Sequence, residues 1–161
     1  MLTSPADFAR YFESVRGRTL AFIQAIPEDR MDFAPQPGKF TFGDLIRHIA
    51  ATERMFVEGA IEGRWAYPGH GRELGSTKDE ALGYLMGAHE EAMARLRAAD
   101  PGVLQEKRTT PLGATVSAWR LLMMMTEHEI HHRSQIGQYL VALGLEPPQL
   151  FGLKLEDFLG R

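Results

Sequence analysis

Apolar residues recur every three or four positions in four long stretches of the chain, and each stretch stops at proline or glycine. In the first, Phe8, Phe12, Val15, Thr19, Phe22 and Ile26 define one helical face. Ser4 stands where an N-cap belongs, Pro5 suits the first helical position and Asp7 complements the dipole, so a helix is expected from there to Pro27. The following "PEDRMDFAPQPGK" is too rich in proline to continue it. Thr41 and Asp44 read as a capping-box pair, with Phe40 and Leu45 placed as a hydrophobic staple. Leu45, Ile49, Thr52, Phe56 and Ala60 then line a second helix up to Gly63, with His48 on the edge of that face. Thr77 and Glu80 start a third, whose stripe of Leu82, Leu85, His89, Ala92, Met93 and Leu96 breaks at "ADPG". The fourth is predicted from Ala114 to Leu143, stopping at Gly144 with Pro147 and Pro148 beyond. Strand patterning is confined to a weak "LQEKRTTPL". An all-α four-helix bundle is therefore expected, as one domain over residues 1–161.

Two features exceed what a plain bundle requires. The connection "GRWAYPGHGRELGS" is unusually aromatic and glycine-rich, and its Trp65 and Tyr67 are placed either to cover a substrate or to pack over the bundle end. The fourth helix has two apolar faces. Leu121, Met125, His128, His132, Ile136, Tyr139 and Leu143 share one; Trp119, Met123, Ile130, Gly137 and Val141 share another, nearly opposite. One face fills the bundle, leaving the other for a second subunit or a loop, and Gly137 would admit another backbone. A homodimer is expected.

Composition narrows the chemistry. A net charge of −3 without a Lys/Arg cluster argues against nucleic-acid binding by bulk charge. With no cysteine, disulfides, thiolate ligands and cysteine nucleophiles are excluded, so a metal would need His, Asp, Glu or water. The N-terminus lacks a signal-peptide pattern, and no run reaches the roughly 18 apolar residues that span a bilayer. A cytoplasmic protein with no membrane partner is the expectation.

Three of the six histidines fall in "TEHEIHHRSQIGQYL". His128 and His132 project from successive turns of one face, so their imidazoles can converge on one ion. Two buried neutral imidazoles need partners for their nitrogens, which a metal supplies and a hydrogen-bonded core pair supplies as well. A third ligand would come from His48, His89, His131 or His70. His131 points about 100° away from His132, towards surface or outer shell, and His70 lies in a loop where exposure is the default. His128 to His132 also satisfies H-E-x-x-H. The elongated protease form fails, however, because Gln135 and Gln138 occupy its glycine and third-histidine positions. A downstream glutamate ligand could only be Glu146 or Glu156. Glu129 and Arg133, four apart, read as an exposed helix pair rather than a base with its partner. Gln135 and Tyr139 continue the histidine face and are expected near the mouth of a site or in contact with its ligands from outside.

"FTFGDLIRHIAATE", "EHEIHHRSQIGQYL" and "LGLEPPQLFG" together resemble the DinB/YfiT-like putative metalloenzymes over nearly the whole chain. The resemblance implies a four-helix bundle of mirror-type arrangement relative to simple up-and-down bundles, commonly homodimeric. It implies His48, His128 and His132 as metal ligands and His89 as a core residue. Relatives include transferases and isomerases that use low-molecular-weight thiols such as bacillithiol, mycothiol or glutathione, acting on small-molecule substrates. Three neutral imidazoles would leave a divalent ion its charge and an open position. Zinc or nickel is the first expectation, with iron, copper and manganese open. Such an ion makes a nucleophile of a thiol or of water near neutral pH. The expected function is a thiol S-transferase-like enzyme of stress or xenobiotic defence. A metal-dependent hydrolase and a non-catalytic metal-binding stress-response protein are the alternatives.

Overall fold

The computed structural model describes residues 3–152 and 159. Among the described residues four α-helices form: α1 Pro5–Gln24, α2 Phe42–Glu62, α3 Lys78–Ala98 and α4 Ala118–Ala142. Full capping boxes close the N-termini of the first three, built by Ser4 with Asp7, Thr41 with Asp44 and Thr77 with Glu80.

The expected start of α4 at Ala114 is corrected. Residues Thr115–Ser117 form a short strand, β2, antiparallel to β1 (Lys107–Thr109), with Arg108 opposite Val116. Pro111 and Gly113 turn the chain between them, and Ser117 caps the helix by accepting from the Arg120 amide. The weak strand signal before Pro111 was half of a hairpin whose other half lay hidden in the helix prediction.

The interior consists of two apolar clusters. One joins the first half of α1 (Phe8, Phe12, Val15) and of α4 (Leu121, Leu122, Met125) to the second half of α2 (Phe56, Val57, Ala60) and of α3 (Ala92, Met93, Leu96). The other reverses this: Ile23 and Ile26 of α1's end and Ile136 and Leu140 of α4 meet Leu45, Ile46 and Ile49 of α2 and Ala81 and Leu85 of α3. Hence α1 and α4 run parallel, α2 and α3 run parallel, and the two pairs are opposed. Helices α2 and α3 pack side by side, as do α2 and α4, α1 and α4, and α1 and α3. This is a four-helix bundle, but not the up-and-down one.

Because α2 and α3 are parallel neighbours, the segment joining them must return along the whole bundle. Helix α2 is about 30 Å long at 1.5 Å per residue. The connection of residues 63–77, which could reach about 50 Å fully extended, spans it with room for a 3-10 turn at Arg72–Leu74. Trp65 lies against Gly59, where an added Cβ would meet the indole at 2.8 Å, and its Nε1 donates to the Thr109 carbonyl at 2.9 Å. At the far end Arg47, itself buried, donates to the His70 carbonyl (2.8 Å), the Gly75 carbonyl (2.7 Å) and Asp44 Oδ1 (2.8 Å). The connection is a strap lashed at both ends to α2.

Between the two apolar clusters lies a polar layer with one residue from each helix. Arg16 of α1 is 1% exposed. Its Nε and Nη2 donate to Glu129 of α4 at 3.0 and 2.7 Å, and Nη2 also reaches Glu53 of α2 at 2.7 Å. Glu53 in turn holds His89 Nδ1 of α3 at 2.7 Å. The expectation of an exposed Glu129–Arg133 pair is therefore corrected. Both residues are buried, and the carboxylate of Glu129 is taken by an arginine more than a hundred positions earlier, a partner that helix spacing cannot reveal.

Removing one member of a buried charge set leaves the others unpaired, which costs far more than losing an exposed pair. Arg16→Met is expected to lower unfolding free energy by about 3–5 kcal/mol in urea titration. Arg97→Ala, which breaks the exposed pair with Glu13, is expected to cost below about 1 kcal/mol.

Candidate metal centre

His48 of α2 and His128 and His132 of α4 meet on the flank of the polar layer. Their ligand atoms lie within 4.8 Å of one another, and His128 Nε2 stands 3.0 Å from both His48 Nε2 and His132 Nε2. Tetrahedral coordination at 2.0–2.1 Å separates two nitrogens by roughly 3.3 Å, so the trio is close to the spacing one ion requires.

The outer nitrogens show what the inner ones carry. Thr52 Oγ1 donates to the His48 carbonyl at 2.7 Å, so towards His128 Nδ1, at 3.3 Å, it can only accept. Gln135 Oε1, an acceptor, holds His132 Nδ1 at 2.7 Å. Both rings are thereby held with the proton on Nδ1, and their Nε2 lone pairs face each other across 3.0 Å. A proton on His48 Nε2 can relieve one of these lone pairs and not the other. A cation relieves all three, so the donor set fits a divalent ion with one open position at least.

Electrostatics agree. Burial, then repulsion from the imidazolium forms of His132 and His70, pushes His48 down to about 4. Burial and the neighbouring His132 and His48 push His128 to about 3. Burial also lowers His132, against an opposing hydrogen bond from Gln135. All three are neutral at pH 7, the form that binds metal.

The strap completes the surroundings. Tyr67 Oη lies 2.7 Å from His48 Nδ1 and 2.7 Å from His70 Nδ1. Burial raises the Tyr67 phenol, so it remains a donor at neutral pH. Phe40 packs edge-on against His48 (ring centroids 5.1 Å apart) and nearly parallel to His132 (6.4 Å). His70, expected as an exposed loop residue, thus sits beside the site. The aromatic excess of the connection was its only sequence signal. His131 is exposed and touches His132 ring to ring without joining the trio. His89 is in the core with Glu53, as the family resemblance implied. Tyr139 is buried against Phe33 and Phe42 rather than standing at the mouth. Glu156 lies outside the described residues.

Residues 11–136 match the family model of the DinB superfamily, and the chain belongs to that family. Solved structures agree in fold. The DinB-like protein YjoA from Bacillus subtilis superposes with a TM-score of 0.71 at 22% identity, over 89% of this chain and 96% of that one. YfiT from the same organism, described as a probable metal-dependent hydrolase with an unusual four-helix bundle topology, gives 0.66 at 15%, over 88% and 89%. A mycothiol-dependent maleylpyruvate isomerase gives 0.53 at 19%, over 83% of this chain and 59% of that one. No curated protein sequence matches the chain.

The lowered histidine pKa values set a pH dependence. Below the ordinary value of 6.5 the unfolded chain takes up protons that folded His48 and His128 refuse until about 4 and about 3. Stability of the metal-free protein is therefore expected to fall as pH drops from 6.5 towards 4, read as Tm. In His48→Ala/His128→Ala the decline over that window should be shallower.

Proposed function

We propose that the chain is a metal-dependent enzyme in which His48, His128 and His132 hold one divalent ion, zinc or nickel, and a low-molecular-weight thiol attacks an electrophilic small molecule. The observation carrying this reading is the set of three Nε2 atoms aimed at one point, two of them stripped of protons by Thr52 and Gln135. When bound, the ion supplies a Lewis acid that lowers the pKa of a thiol or of water. The chain's own part is to keep three imidazoles neutral and oriented, leaving the positive charge undiminished. The thiol proton passes to solvent and the sulfur forms the new bond to carbon. The carbon's bond to its leaving group breaks and that group departs with the electron pair; in an addition, the displaced π pair takes a proton from solvent instead.

Thiol chemistry is favoured because the nearest candidate for a glutamate base is spent. Glu129 completes H-E-x-x-H, yet its carboxylate is buried and bound by Arg16 through two hydrogen bonds. Both of its oxygens accept from the guanidinium, so neither is presented to the ion site as a base would have to be. The fold likeness to a mycothiol-dependent isomerase supports the same side. Metal-dependent hydrolysis is the second reading, supported by the likeness to YfiT. A role in stress or xenobiotic defence would follow from the first.

A homodimer is part of the proposal, on a smaller surface than the sequence pattern indicated. Trp119 packs edge-on against Phe8 within the chain, and Gly137 makes room for the Phe22 ring (2.9 Å from an added Cβ) rather than for a second subunit. Ile130 and Val141 remain 42% and 59% exposed and line an apolar groove with Pro147 and Leu150. Light scattering at micromolar concentration is expected to give twice the chain mass; a monomer throughout that range defeats this part.

Elemental analysis of untagged protein should find about one divalent ion per chain, the stoichiometry of a three-histidine site. His128→Ala should lose most of it, whereas His89→Ala should keep it and lose stability. A screen of bacillithiol, mycothiol and glutathione against electrophiles should show turnover that needs both thiol and ion. Glu129→Gln weakens the buried pair with Arg16 and is expected to lower stability, yet, assayed well below its Tm, to retain ion and turnover. A loss of about 10²-fold or more with the ion retained, the scale of general-base catalysis, or ester hydrolysis without thiol, would move the hydrolase reading ahead.

A further inference from the structure

The strap between α2 and α3 does more than connect them. It passes the only Nδ1 of the histidine trio that α2 and α4 leave without an acceptor among the described residues. His128 Nδ1 is held by Thr52 on α2, and His132 Nδ1 by Gln135 on α4. His48 Nδ1 is held from outside the helices, by Tyr67 Oη at 2.7 Å, and the same hydroxyl is 2.7 Å from His70 Nδ1.

This chain of groups can be satisfied in one sense while Nε2 of His48 serves as a ligand. His48 then carries its proton on Nδ1 and donates to Tyr67 Oη, and the phenol donates to His70 Nδ1. With His48 Nε2 protonated instead, the phenol donates to His48 and the ligand atom is blocked. The seat of Tyr67 is built in. Arg47, 2% exposed, grips the His70 and Gly75 carbonyls, and Trp65 lies on Gly59 two residues before Tyr67.

We infer that Tyr67, backed by His70 and seated by Arg47, is a positioning residue of the metal centre that selects the ligand tautomer of His48, so that docking of the strap and ion binding reinforce each other. The inference rests on the three-histidine ion site proposed above. By linkage, whatever factor the seated strap adds to ion affinity, a bound ion adds to seating of the strap. Outer groups that hold ligand histidines are worth about 10–100-fold in affinity.

The test is titration of metal-free protein with cobalt(II) against a competing chelator, read by the visible absorption of the bound ion. Hydrogen exchange over residues 63–75 is followed with and without cobalt. Tyr67→Phe removes one oxygen from a residue that is 42% exposed, so its fold should persist. It is expected to bind cobalt about 10-fold more weakly with an altered spectrum. Arg47→Lys should shift affinity the same way, and adding it to Tyr67→Phe should cost less than the two separate losses together. Cobalt should slow exchange of the strap in the wild type and much less in Tyr67→Phe. Wild-type affinity and spectrum in Tyr67→Phe, or strap exchange indifferent to cobalt, overturns the inference while the ion site stands. A wild-type protein that takes up no cobalt overturns both.

Discussion

A guanidinium with 1% exposure has to be neutralised where it lies, and most of this bundle can be understood from how Arg16 meets that requirement. Two carboxylates reach it, Glu53 from α2 and Glu129 from α4, and Glu53 brings in His89 from α3. Misplacing any helix by one turn would strand a buried charge. Register is thereby specified more sharply than two apolar clusters of interchangeable Leu, Ile and Phe could specify it. Pointing Glu129 at α1 also orients what surrounds it on α4. His128 and His132 lie about 100° and 60° from it around the helix, both on the same side, and that side faces α2. The ion pair that holds the bundle together therefore aims the histidines.

The same layer explains why a protease-like motif carries no protease-like base. In H-E-x-x-H the glutamate is useful only when its carboxylate is free to take a proton near the ion. Here it accepts two hydrogen bonds from an arginine, inside the core. The letters match while the direction of one side chain differs, and chemistry follows direction. Similar caution applies to the fold: bundles of this topology carry more than one reaction, so the fold supports a site more firmly than a substrate.

Topology decides the rest of the site. Parallel α2 and α3 force the connecting segment back along α2, past His48. Two rings of the connection arrive at the outer face of a candidate ligand: His70, which a local reading would leave in solvent, and Tyr67, which it would set over a substrate or the bundle end. A glycine of α2 lets the strap lie close to the helix: Trp65 fills the space a Cβ on Gly59 would take.

Sequence alone determined what local forces control. Capping residues and apolar period set four helices, three with their N-termini at the expected caps, because a cap and its partner lie within three positions. The i, i+4 pair His128 and His132 was legible for the same reason, and His48 came with a family pattern rather than from spacing. Contacts distant in sequence were not legible. The partner of Glu129 is Arg16, the partner of His89 is Glu53, and the acceptor for His48 sits on a strap whose course depends on which helices are neighbours. Even the start of α4 yielded to such a contact, because residues 115–117 pair with 107–109 once the hairpin closes. Tertiary structure decided these points, since a charge or a strand edge takes its partner from whatever the fold brings within 3 Å.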